Sequence, residues 1–427
     1  MDLTIFGEAD ERTLAQIERC AKVEEGSKAV LCADNHVGYS MPIGGAVAYR
    51  EHISPVGVGF DIGCGNKAVR TELRAADVDV AGVMDEIVRR ISFGMGRNNP
   101  KPVDHPVLDR IREAPFSPQR KMYDLAAKQL GTVGAGNHYV DLFADEDGLV
   151  WVGVHFGSRG FGHKTAAGFL SLAQGGSFEQ KGSEGGMDSD PIVFRTDTEL
   201  GQSYIEAMQL AGEYAYAGRD VVVETVLGIL GAQATEEIHN HHNFAWREEH
   251  GGEDWWVIRK GCTPAFPGQK GFVGSTMGEE SVILEGTEEA ERALFSTVHG
   301  AGRVMSRREA AGKVRRKKRW HCSVRDCDYS HADRAKFRCP HHPKSKPVKL
   351  FQAEVVRPGK IDFSLVRNDL KRRGIELRGG AADEAPDAYK RLDRVLAAHE
   401  DTIRVLNRLK PLGVAMAGPE TFDPYKD

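Results

Sequence analysis

The run GLVWVGVHFGSRGFGHKTAAGFLSLA, residues 148–173, changes its hydrophobic period part-way along. Gly148 to His155 is a short, valine-rich apolar run of the kind that forms a buried strand. Gly162 to Ala173 has apolar residues at helical spacing, and the turn GSRGFGH (157–163) lies between. A strand, a tight turn and a helix in one stretch predict a mixed α/β domain.

The mixture continues on both sides. Strands are predicted at Ser27–Cys32, near Val47, and over Lys67–Leu73, Trp255–Lys260 and Ser281–Glu285. Helical spacing marks 11–22, Val78–Ile91, Lys121–Leu130, Glu199–Ala217, Asp220–Leu230, Leu365–Arg373 and Asp387–Leu409. Residues 175–191 are rich in Gly, Ser and Asp and read as an exposed loop. Strands and helices do not alternate regularly, so a barrel is not expected. The reading is one large mixed α/β (α+β) domain, residues 1–312 and 350–427, interrupted by a small module at 313–349.

Composition narrows the class. Hydrophobic residues make up 41% and charged residues 28% of the 427, which excludes disorder as the dominant state. No stretch approaches the roughly 18 apolar residues of a membrane span. The N-terminal MDLTIFGEADER carries acids where a secretory signal has a basic region and an apolar run. Seven cysteines, an odd number, do not suggest a secreted disulfide framework. A cytoplasmic protein with free thiols is the expectation.

Net charge is −5, but Lys313 to Lys349 holds 13 Lys/Arg against 3 Asp. That charge step marks the separate module and points to a polyanion as its neighbour. Forty-eight glycines exceed the roughly 7% average and cluster beside histidines. Glycine lets backbone approach a ligand closely, so these clusters are where chemistry is sought.

Five potential metal ligands occupy such turns or strand ends. Asp61 and Cys64 lie in GVGFDIGCGN, His138 in GTVGAGNHYVD, His155 at the end of its strand, and His242 in HNHHNFA. A carboxylate, a thiol and three imidazoles suit Mn, Fe or Zn, and a thiolate can bridge two ions. Four segments, GSRGFGH, RKGCTPAFPG (259–268), GSTMG (274–278) and HGAGR (299–303), have the Gly, Ser and Arg content of phosphate-binding turns. Neither a P-loop nor a dinucleotide fingerprint is present. His36 reads as an ordinary hydrogen-bonded loop residue, a support for the site or an RNA contact, and His239 and His241 as exposed neighbours of His242.

The ordered set DNHVGYSMPIGG, GVGFDIGCG, GTVGAGNH, VHFGSRGFGH, HNFA, RKG, GSTMG and HGAGRVMSR resembles the RtcB family of RNA ligases, and DEAPDAYKRLDRVL with KPLGVAMAG extends the likeness nearly to the C-terminus. The resemblance implies an unusual mixed α/β fold, unrelated to ATP-dependent ligases. It implies that Asp61, Cys64, His138, His155 and His242 hold two Mn²⁺ ions, with Cys64 bridging. His299 matches the histidine that GTP guanylylates. Asn137, His138, Tyr139, Asp141, His242, Asn243, Gly274, Ser275, Thr276, Met277, Ser281, Gly300, Ala301, Gly302, Arg303 and Tyr389 match nucleotide-binding positions. The implied partner is RNA with a 3′-phosphate or 2′,3′-cyclic phosphate end and a 5′-hydroxyl end, joined with GTP. Two other readings use the same residues: an RNA-binding, end-sensing paralogue, or a metal-dependent cyclic phosphodiesterase.

Three departures from the family stand out. Ala417 occupies a place where many relatives have a lysine that touches the nucleotide. Asp141 stands where glutamate is common. The basic module, with Cys322, Cys327, Cys339 and CPHH, resembles a small zinc ribbon in which His342 is the fourth ligand, with His341 or His331 as rivals.

Overall fold

The computed structural model describes residues 2–324, 327–419 and 421. Two sheets carry the architecture. The smaller runs, in order, Asp2–Ile5, Lys28–His36, Ile43–Tyr49, Glu253–Lys260 and Asn243–His250, antiparallel apart from its first pair. The larger runs Lys270–Val273, Ser281–Gly286, Ile403–Met416, Tyr139–Ala144, Leu149–Phe156, Gly65–Arg74 and Ala234–His241, with Glu376–Arg378 added beside Ile403–Met416. The fold class is mixed α/β, as the strand–turn–helix of 148–173 requires: the strand is Leu149–Phe156 and the helix Arg159–Ala173.

That helix packs beside a second one, Glu199–Leu230, and both bury apolar faces in the core that includes Ile17, Leu31, Tyr49, Phe161, Phe169 and Tyr204. The long helix was expected as two. It runs unbroken through Gly218, a helical glycine costing only about 1 kcal/mol. Its later turns place Val222, Val223 and Val226 against Val69, Val152 and Val154 of the larger sheet.

The expected helix Asp387–Leu409 is a correction. Helix spans only Leu392–Ala397, and Ile403–Met416 is a strand paired on both sides, with Ser281–Gly286 and with Tyr139–Ala144. Its Leu and Val spacing fits either period, and the sheet partners on each side decide it. The strands Ala234–His241 and Asn243–His250 were not expected either, because their polar content hides the alternation.

The basic module is a three-stranded antiparallel sheet. Gly312–Cys322 pairs along its length with Pro347–Pro358, and Ser330–His331 adds to its far end. Among the described residues no helix is long and apolar enough to cross a membrane.

Candidate metal and nucleotide site

Four neighbouring strands of the larger sheet end together. Register pairs Gly65 with both Phe156 and His241, and Tyr139 with His155. Cys64 and His138 therefore just precede their strands, His155 closes its own, and His242 follows Ala234–His241. One edge of one sheet thus collects a thiol and three imidazoles, and the Gly63 turn adds Asp61.

The side-chain geometry forms two triads that share one sulfur. Asp61, Cys64 and His138 bring their ligand atoms within 4.8 Å of one another, and so do Cys64, His155 and His242. Cys64 Sγ lies 3.2 Å from His155 Nε2 and 3.6 Å from His138 Nε2, and His138 Nε2 lies 3.0 Å from Asp61 Oδ2. Burial, with neighbouring histidines adding to it, pushes the pKa values of His155 and His242 far down, so both are neutral as ligands must be. Burial opposes the charge of Asp61, but His138 and Cys64 outweigh it and bring its pKa down to about 2. Buried Nδ1 atoms of His138 and His242 have no hydrogen-bond partner. The donor set of one carboxylate, one shared thiol and three imidazoles fits a pair of divalent ions such as manganese.

Close packing demands glycine here. A Cβ at Gly157 would stand 2.3 Å from Asp61 Oδ1, and one at Gly134 1.9 Å from His138 Nδ1. Behind the ligands sits Arg219 of the long helix, fully buried. Its guanidinium donates to the carbonyls of Gly63 (2.8 Å) and Phe156 (2.6 Å), and meets His241 Nδ1 and His239 Nε2, each at 2.9 Å. Burial lowers its pKa to about 10, which leaves it charged at neutral pH. One cation therefore fixes the backbone beside Cys64 and beside His155. His239 and His241, expected to be exposed, are instead the supports of this arginine.

His299 enters from the smaller sheet's side. The strand Ser296–Val298, paired with Cys262–Pro264, ends at it. Its ring centroid lies 5.0 Å from that of His242. His299 Nδ1 is 2.6 Å from Asp34 Oδ2, which also accepts the His299 backbone N–H at 3.0 Å. Burial disfavours a charged imidazole, but the Asp34 charge prevails and raises the His299 pKa. Asp34 escaped the sequence reading. It falls where pairing between Lys28–His36 and Ile43–Tyr49 breaks, and although it opens the DNHVGYSMPIGG motif nothing local assigns it to His299. His36 beside it is lowered to about 4 by burial.

One cavity of about 1020 Å³ joins both triads, His299 and the GSTMG and HGAGR turns. Motifs spread along the chain from His36 to Arg307 thus line a single cavity. The family model described as tRNA-splicing ligase RtcB matches residues 16–115 and 108–336. The chain belongs to the RtcB family. It is 32% identical to the RNA-splicing ligase RtcB of Escherichia coli (strain K12), over 88% of this chain and 87% of the relative. It is 28% identical to the tRNA-splicing ligase RtcB of Thermococcus kodakarensis, over 95% of this chain and 91% of that one. The tRNA-splicing ligase RtcB of Archaeoglobus fulgidus is 28% identical, over 91% and 87%.

The expected RtcB nucleotide positions divide by place. Asn137, His138, Tyr139, Asp141, His242, Asn243, Gly274, Ser275, Thr276, Met277, Gly300, Ala301, Gly302, Arg303 and Tyr389 all line the cavity. Ser281 stands behind the wall, its Oγ accepting the Ser275 N–H at 3.1 Å. Tyr139 Oη, Asp141 Oδ1 and Thr276 Oγ1 are buried without hydrogen-bond partners. Burial drives the Asp141 pKa far up. Arg303, expected to face a phosphate, donates to Tyr389 Oη and the Asp383 carbonyl, each at 2.8 Å. Arg259 of the expected phosphate turn points away from the cavity and binds Glu248 through both terminal nitrogens, at 2.6 and 3.0 Å. Lys260 does line the cavity, its Nζ held by the carbonyls of Tyr39 and Val56. Ala417 borders a smaller neighbouring hollow with Gly136 and Glu384.

Proposed function

We propose that this RtcB-family chain joins RNA 3′-phosphate or 2′,3′-cyclic phosphate ends to 5′-hydroxyl ends, using GTP and two Mn²⁺ ions. The observation that carries the reading is the placement of His299 beside two triads of potential metal ligands that share Cys64, in one cavity.

In this reading Asp34 accepts the Nδ1 proton of His299 and leaves Nε2 as the nucleophilic lone pair. Nε2 bonds to the α-phosphorus of GTP, the α–β anhydride breaks, and pyrophosphate leaves. A 2′,3′-cyclic phosphate end is first opened by water, which breaks the bond to the 2′-oxygen and leaves a 3′-phosphate. An oxygen of the RNA 3′-phosphate then attacks the phosphorus of the histidine-bound GMP and releases His299, which transfers GMP to the RNA end. The 5′-hydroxyl attacks the activated 3′-phosphorus, loses its proton and expels GMP. Held by Asp61, Cys64, His138, His155 and His242, divalent ions would neutralise charge that builds on phosphate oxygens. The unpartnered Asp141 oxygen is the acceptor offered to guanine ring N–H groups, and Thr276 and Tyr139 offer hydroxyls nearby.

Incubation with α-labelled GTP and Mn²⁺ tests this directly. Covalent label that is acid-labile, alkali-stable and absent in His299→Ala supports it. Absence of label in a metal-loaded wild-type protein would favour the end-sensing reading.

A further inference from the structure

The basic module carries a second cluster of metal ligands, separate from the catalytic cavity. Cys322 ends the first long strand, Cys327 follows in the next loop, and Cys339 and His342 belong to the CPHH turn. All four ligand atoms lie within 4.8 Å of one another. Cys327 Sγ is 3.7 Å from Cys339 Sγ, and His342 Nδ1 is 3.6 Å from Cys322 Sγ and 3.8 Å from Cys339 Sγ.

Those separations are the edges of a metal-centred tetrahedron. Zinc–sulfur bonds of about 2.3 Å and zinc–nitrogen bonds of about 2.0 Å place tetrahedral sulfurs about 3.8 Å apart and sulfur and nitrogen about 3.5 Å apart. The rival histidines do not compete. His331 Nδ1 is taken by the Asp333 backbone N–H at 3.0 Å, and among the described residues His342 is the one histidine that joins the three sulfurs.

The surroundings supply a reason for an ion. Among the described residues, the buried apolar side chains of the module are Phe337 with Cys322 and Cys339 themselves, and Trp320 and Tyr329 pack beside them half-buried. Three side chains cannot drive folding of a sheet dense in Lys and Arg, whereas a bound ion can. Four protein ligands leave no open position, which is the form of a structural site rather than a catalytic one. We infer that Cys322, Cys327, Cys339 and His342 hold one structural zinc ion that fastens the far end of the basic sheet. The inference does not depend on the ligase reading.

The test uses the full-length protein purified under reducing conditions and dialysed against Mn²⁺. Elemental analysis is expected to find one zinc per chain that manganese does not displace, retained in Cys64→Ala and lost in Cys339→Ser. Replacing the ion with Co²⁺ should give the visible absorption of a tetrahedral thiolate site in wild type, so the reading survives if Cys339→Ser fails to fold. Chelation should expose the arginines and lysines of 313–349 to trypsin while the remainder stays resistant. A wild-type protein that takes up neither zinc nor cobalt at these thiols would overturn the inference. So would unchanged zinc content in Cys339→Ser, or a Cys327–Cys339 disulfide in the reduced preparation.

Discussion

Asp34 and His299, 265 residues apart in the chain, meet through a 2.6 Å contact between Oδ2 and Nδ1. Asp34 is wholly buried, and its second oxygen has no partner. The carboxylate thereby sets both the tautomer and the orientation of the imidazole, as the acid does in a hydrolase triad. Asp34→Ala is expected to lower the rate of covalent GMP labelling by at least about 100-fold, on the scale of triad acids, with metal content unchanged. A near-normal labelling rate would remove Asp34 from the mechanism.

Cys64→Ala removes the sulfur common to both triads. Metal retention should fall from two ions per chain, and both labelling and sealing should be lost, while circular dichroism stays native. An active Cys64→Ala enzyme would contradict the shared-ligand geometry.

Gly157→Ala addresses one triad alone. The added Cβ would lie 2.3 Å from Asp61 Oδ1, so the carboxylate must shift. Affinity at the Asp61 triad is expected to drop by about 10–100-fold, in the range of perturbed metal-site supports. The His155–His242 triad should keep its ion. Equal weakening of both, read by metal titration, would refute the separation.

Arg259 makes a stability prediction. It is fully buried and pairs bidentately with Glu248. Arg259→Met leaves that buried carboxylate with His250 as its remaining partner and takes a donor from Ser296 Oγ and the Leu294 carbonyl, and should cost about 3–5 kcal/mol in denaturant unfolding. Burial opposes the Glu248 charge, but Arg259 and His250 prevail and hold its pKa below the ordinary 4.5. Its contribution is therefore present above pH 4.5 and is lost as pH falls through the folded-state value. Glu248→Gln should be less stable at neutral pH and lose less stability on acidification. Parallel pH profiles for the two proteins would contradict this assignment.

The clustering of Asp61, Cys64, His138, His155 and His242 was legible because each sits at a glycine-rich turn or strand end, where short-range pattern carries meaning. Asp34 and Arg219 were not, since their roles arise from contacts made across the fold. Arg259 was misread for a related reason. A Gly–Arg pair looks the same whether the guanidinium faces a phosphate or, as here, Glu248 and the Leu294 carbonyl. The first half of the strand Ile403–Met416, as far as Leu409, was misread as helix because pairing on both edges, invisible locally, overrides an ambiguous period.

The basic sheet has a reach as well as a charge. Its long strands pair Gly312 with Pro358 at the root and Cys322 with Pro347 at the tip. At about 3.3 Å per residue that span is roughly 35 Å, long enough to cover at least one full turn of an RNA duplex. A helix lying along it would be touched at its root and again about one turn away. Nuclease footprints on a bound RNA stem should then show two protected patches on the same side, and loss of the tip should erase only the distal one.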